Sequence, residues 1–122
     1  MIPTTATIAH ALAVHKGWRW LRGALCLRWA PGFGDHLKPE ATIAWGFTDA
    51  DAREFGSVPD LDDAATIGTV EEQVRAVVPN AILYPPENPG DPWVINLGLL
   101  DHLAEGATRG EAWANAFLEV CR

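Results

Sequence analysis

The sequence predicts an α+β fold, a small antiparallel sheet of three to four strands packed by two to three helices. Three observations carry that expectation. Two segments open on helix-capping residues and continue with apolar side chains at helical spacing. Short β-branched and aromatic runs alternate with turn-forming glycines and prolines. A length of 122 residues suits one core, so residues 1–122 are expected to form a single domain.

The first element is a short helix over Thr4 to His15, where Ile8, Leu12 and His15 share a face and Gly17 stops the segment. Trp18 to Trp29, WRWLRGALCLRW, is dense in aromatic and aliphatic residues and breaks at Gly23, which suits a strand or a turn leading into one. Pro31, Gly32, Gly34 and Pro39 mark a connection to a second strand over Ala41 to Phe47, and pairing of the two would bring Trp29 near Trp45. Asp49 to Asp63 is acidic and reads as a solvated connector. A helix follows, capped at Asp62 or Asp63 or restarted at the Thr69–Glu72 capping box, with Ile67, Val70, Val74, Val77 and Val78 as its apolar stripe.

Ala81 to Tyr84 and Trp93 to Leu97 read as a β-hairpin whose tip, Pro85 to Pro92, holds four prolines and is stiff. Leu99 to Glu105 fits either a continued strand or a helical turn. Thr108 and Glu111 form a capping box opening the last helix, in which Trp113, Ala116, Phe117 and Val120 recur at i, i+3, i+4 and i+7. The two capped helices are expected on the same face of the sheet.

Hydrophobic residues make up 48% and charged residues 20%, too apolar for intrinsic disorder, and no apolar run approaches a bilayer span. Without a basic region ahead of an apolar stretch at the N-terminus, the expected location is the cytosol. The net charge of -7 is unevenly spread. Residues 1–40 carry five cations against two carboxylates, and residues 41–122 carry four against 14. Such a molecule either presents a basic patch on an acidic body or pairs its two halves, and an acidic body disfavours nonspecific DNA binding.

The chemistry-bearing residues are scattered. His10, His15, His36 and His102 have no metal-ligand spacing, and Cys26 and Cys121 belong to no Cys/His cluster, so no metal, cofactor or disulfide framework is expected. Ser57, the only serine, lies outside any nucleophile elbow, and Cys26 reads as a buried thiol. The pairs Asp49 with Asp51 and Asp62 with Asp63 sit in polar connectors and read as solvated charges. Gly32 and Gly34 are not followed by a helix with Lys and Ser/Thr, as a phosphate loop requires. No catalytic residue is named, and the chain is not expected to be an enzyme.

One segment has the composition of a binding surface. Trp18, Arg19, Trp20, Arg22, Arg28 and Trp29 offer aromatic faces and guanidinium groups that suit stacking and phosphate contact. The alternative is a strand whose tryptophans line the core while its arginines face water or the acidic half.

The phrase Pro59, Asp60, Leu61, Asp63, Ala65, Thr66, Gly68 resembles a helix-opening phrase in small uncharacterised proteins of tailed phages and prophages of proteobacteria. Trp18, Arg19, Trp20 and Gly23 upstream, and Gly106, Thr108, Glu111 and Ala112 downstream, are similar to further phrases of that family. Ala64 stands where proline is common there. The resemblance implies a phage or prophage origin and carries no activity, cofactor or site residue.

Two functions follow as expectations. One is an accessory protein that binds a host protein stoichiometrically, as anti-defence inhibitors do, through an exposed patch including a tryptophan or the Pro85 to Pro92 tip. The other is a binder of a small nucleotide ligand, with Arg19, Arg22 and Arg28 converging in a pocket, possible across a homo-oligomer interface. A structural domain of neither kind is the third alternative.

Overall fold

The structure, a computed structural model, describes residues 5–30, 36–43, 48–54, 57–98 and 103–121, with side chains for residues 7–27, 43, 48–54, 57–98 and 103–121. Helix α1 spans Thr5–Val14 and buries Ile8 and Leu12, the stripe its sequence sets. Strands β1 (Leu25–Ala30) and β2 (His36–Thr42) form an antiparallel pair with an irregularity between Cys26 and Leu27, where the register steps from Ala41 to Pro39. A two-residue strand β3, Val58–Pro59, pairs with the other side of β1, giving the order β2-β1-β3. Both strand prolines thus sit on edge strands, where a missing N–H costs no ladder bond.

Between β2 and β3 lies a short helix α2, Asp49–Glu54, in the stretch expected to be a solvated connector. Its start has a local cause. The Thr48 N–H and hydroxyl both donate to Asp51 Oδ2, at 2.8 and 3.0 Å, an S/T-x-x-D form of the capping box.

Helix α3, Ala64–Val77, starts at Asp63, whose carboxylate accepts the Thr66 N–H at 3.0 Å and the Thr66 hydroxyl at 2.8 Å. The Thr66 hydroxyl oxygen in turn accepts the Leu25 N–H at 2.8 Å, so one cap also fixes the start of β1. The alternative restart at Thr69 is not used: Thr69 lies inside the helix and its hydroxyl donates to the Thr66 carbonyl at 2.7 Å.

Strands β4 (Ile82–Tyr84), β5 (Trp93–Asn96) and β6 (Leu103–Gly106) form a second antiparallel sheet in chain order. The β4–β5 pair is the expected hairpin, and the ambiguous Leu99 to Glu105 stretch ends in β6; residues 99–102 lie outside the described ones. The architecture is α+β, as expected, with four helices and two three-stranded sheets among the described residues where one sheet was expected. Splitting follows from β1 finding its third strand in Val58–Pro59 rather than in the hairpin.

Helix α4, Arg109–Val120, is capped by Thr108 and buries Trp113, Ala116 and Phe117. It lies along β5 and β6 and packs against α3 and α1. Helix α3 thus meets chiefly α4, not a shared sheet face. Gly110 makes the crossing possible: a Cβ there would stand 1.8 Å from the Leu61 carbonyl oxygen, so only glycine admits this approach. Trp18, Leu12, Val70, Val74, Trp113 and Phe117 belong to one buried cluster that runs between the helices and both sheets.

Candidate functional site

The Trp/Arg segment is the first candidate, and the structure builds it as an anchored strap. Residues 18–21 are irregular, a turn follows at Arg22 and Gly23, and strand geometry begins only at Leu25. A strap outside a sheet needs other partners for its backbone, and here they are side chains distant in sequence. Gln73 of α3 takes the Arg19 peptide from both sides, accepting its N–H on Oε1 and donating Nε2–H to its carbonyl, each at 3.0 Å. Asp49 of α2 accepts the Trp20 N–H at 2.9 Å, and Arg53 pairs with Asp49 at 2.9 Å while donating to the Trp18 carbonyl.

These bonds turn the two tryptophans inward. Trp18 and Trp20 are buried and meet edge to face with ring centroids 5.6 Å apart; Trp18 meets Phe117 likewise at 5.6 Å, and His15 meets Phe117 at 5.3 Å. The expectation that Trp18 and Trp20 offer stacking faces is therefore corrected: their surface is spent on the core. Arg19 and Arg22 are exposed. Arg28 and Trp29 lie on β1, paired in register with Lys38 and Leu37, and their side chains lie outside the described ones, as does all of Trp45.

Asp49 keeps the partly solvated side chain expected of it, 45% exposed, but also anchors the strap. Burial pushes its carboxyl up, but the Trp20 N–H and the Arg53 guanidinium outweigh that and hold it below the ordinary aspartate value. Cys26 is buried and Cys121 half-buried, the two are not joined in a disulfide, and burial pushes the Cys121 thiol up, away from the reactive thiolate. Among the described residues, no three His, Cys, Asp or Glu gather as a metal site, and no helix is long and apolar enough to cross a membrane.

A second candidate lies beside the hairpin tip. An open cleft of about 830 Å³ runs between that tip and the start of α4. Pro86, Pro89, Pro92 and Trp93 line it from the hairpin, Ile8 from α1, and Ala107 and Asn115 from the end of β6 and from α4. The tip holds its shape by a turn in which Asp91 N–H donates to the Asn88 carbonyl at 3.1 Å and Asn88 N–H donates back to Asp91 Oδ2 at 3.2 Å. Trp93 opens β5 opposite Gly106 of β6 and is half-buried, so part of its ring system faces outward.

The cleft is acidic. Glu87, Asp91 and Glu105 are exposed at its border, and Glu111 lies deeper at 6% exposure. Glu111 is structural: its Oε2 accepts the Ala107 N–H at 3.0 Å and its N–H donates to Thr108 Oγ1 at 3.2 Å, closing the box that starts α4. Among the described lining residues there is no Lys, Arg or His. The proline content marked the tip as stiff from sequence; that β6, α1 and α4 supply the rest of the lining depends on tertiary packing and leaves no local pattern.

Comparison with family models, with curated proteins and with solved structures gives no match for this chain.

Proposed function

We propose that this protein is a non-enzymatic accessory protein, of phage or prophage type, that acts by binding a host protein stoichiometrically, and that the cleft beside the hairpin tip is where the partner seats. The observation that carries this reading is the cleft itself: an open, proline-walled groove beside a half-buried tryptophan. Stiff walls favour binding because little conformational entropy remains to be lost when a partner docks. A tryptophan at the mouth of a groove is a typical centre of binding energy. The resemblance of the helix-opening phrase to phage and prophage proteins supplies the class of partner, a protein of the host cell.

Nucleotide binding is the weaker reading, because Trp18 and Trp20, the tryptophans that flank Arg19 in the chain, are buried and offer it no stacking face. The test is capture from host lysate with wild-type protein and with Trp93→Ala, followed by the mass of the purified complex. A complex of fixed stoichiometry that Trp93→Ala weakens at least tenfold is the expected result. Capture indifferent to Trp93→Ala, or a nucleotide-dependent rise in melting temperature that Arg19→Ala abolishes, would overturn it.

A further inference from the structure

Resting on the reading of the cleft as a partner site, we infer the chemistry of what it takes: an extended segment of a protein partner that presents an arginine side chain to Trp93 and the border carboxylates. Charge complementarity carries the choice. Glu87 and Asp91 of the tip line the cleft and are exposed, with no cation among the described lining residues to neutralise them, on a chain whose net charge is -7. An acidic partner segment would meet repulsion there; a cationic one is steered in.

The aromatic and apolar walls select among cations. A guanidinium is planar and weakly hydrated, stacks on an indole face and donates in a fork that fits carboxylates, whereas an ammonium is a compact, strongly hydrated charge. Trp93 pairs with Gly106 and Glu105 with Val94, so the Trp93 ring and the Glu105 side chain leave the sheet on opposite faces, and the carboxylates that a guanidinium on Trp93 meets are those of the tip, Glu87 and Asp91. The proline rings add a flat apolar flank suited to the methylene stem of arginine. An extended segment fits better than a helix, since a helix with side chains is about 10 Å across and the cleft is an open groove of about 830 Å³.

The probe is a capped hexapeptide of alternating arginine and proline, titrated into the full chain and followed by the Trp93 indole resonance. Replacing its arginines by citrulline, which keeps shape and loses charge, is expected to weaken binding about tenfold or more. Trp93→Ala is expected to weaken it about fivefold, and Glu87→Gln about threefold, with the salt dependence reduced. Glu87 is exposed, so the variant is expected to fold, which its unchanged melting temperature checks.

Equal binding of the citrulline peptide overturns the cationic specificity while leaving the cleft as a partner site. Equal binding of a lysine peptide or of spermidine overturns the choice of an arginine-bearing segment. Arginine binding untouched by either cleft variant, or no resonance movement at millimolar peptide, overturns the inference. The capture experiment above stands or falls separately, because it reads the natural partner whatever its charge.

Discussion

The two halves of the molecule differ in where their backbone finds its hydrogen-bond partners. From Asp63 onward the partners are closer in sequence: Asp63 caps Thr66, Thr108 and Glu111 cap each other's turn, and β4 pairs with β5 across the Pro85 to Pro92 tip. In the strap from Trp18 to Trp20 they are remote: Gln73 holds Arg19 across 54 residues, Arg53 holds Trp18 across 35, and Asp49 holds Trp20 across 29. The first kind of contact writes itself into spacing; the second does not. An aromatic segment held by remote side chains looks, in sequence, like a strand or a binding surface.

The largest expected effect separates the tryptophans. Trp18→Ala removes a fully buried side chain between Trp20 and Phe117 and should cost about 4 kcal/mol of unfolding free energy. Trp93→Ala, at the cleft, should cost far less, because its ring is only half-buried. Denaturant unfolding of both variants makes the comparison, and equal losses would break the division between a structural and a functional tryptophan set.

Next in size is the close helix crossing. Gly110→Ala should cost about 3 kcal/mol, since a methyl group there meets the Leu61 carbonyl and must displace backbone. A near-neutral result by thermal unfolding would mean that α4 and the loop before α3 are not held as described.

Remote and local anchoring can then be weighed directly. Gln73→Ala removes both bonds to the Arg19 peptide and should cost about 2 kcal/mol, against about 1 kcal/mol for loss of the cap in Thr108→Ala. If Gln73→Ala were the milder of the two, the strap would be held by its buried tryptophans and by Asp49 and Arg53 rather than by Gln73.

The smallest effect is a pH dependence. The Asp49 carboxyl is held below its unfolded value, so its contribution is fully present above the ordinary aspartate pKa of about 3.9 and is lost as pH falls through the lower folded value. Asp49→Asn should leave a shallower decline in stability over that acid range. An unchanged acid limb would show that Asp49 does not anchor Trp20 through its charge.

Legibility in the sequence followed the same division. Helices α1, α3 and α4, the hairpin and the α+β class were readable because caps, apolar periodicity and proline punctuation act within a few residues. Helix α2 was readable in principle from Thr48 and Asp51, but the acidic composition of the stretch masked the box. The two-residue β3 and the second sheet were not, since Val58–Pro59 has no strand pattern and acquires one only by lying beside β1. The stiffness of the tip was legible from its prolines, whereas the rest of the cleft lining, with Ile8, Ala107 and Asn115, was assembled by packing alone.

The most direct test of the central claim is a single spectrum of the tryptophan indole N–H groups, recorded through hydrogen exchange and again with the arginine peptide added. The Trp18 and Trp113 indole nitrogens are fully buried, so their protons should exchange only on global unfolding and stay in place with peptide, while the Trp93 signal exchanges readily and moves. Rapid exchange at Trp18, or movement there with a static Trp93, would contradict the account and return the binding surface to the strap.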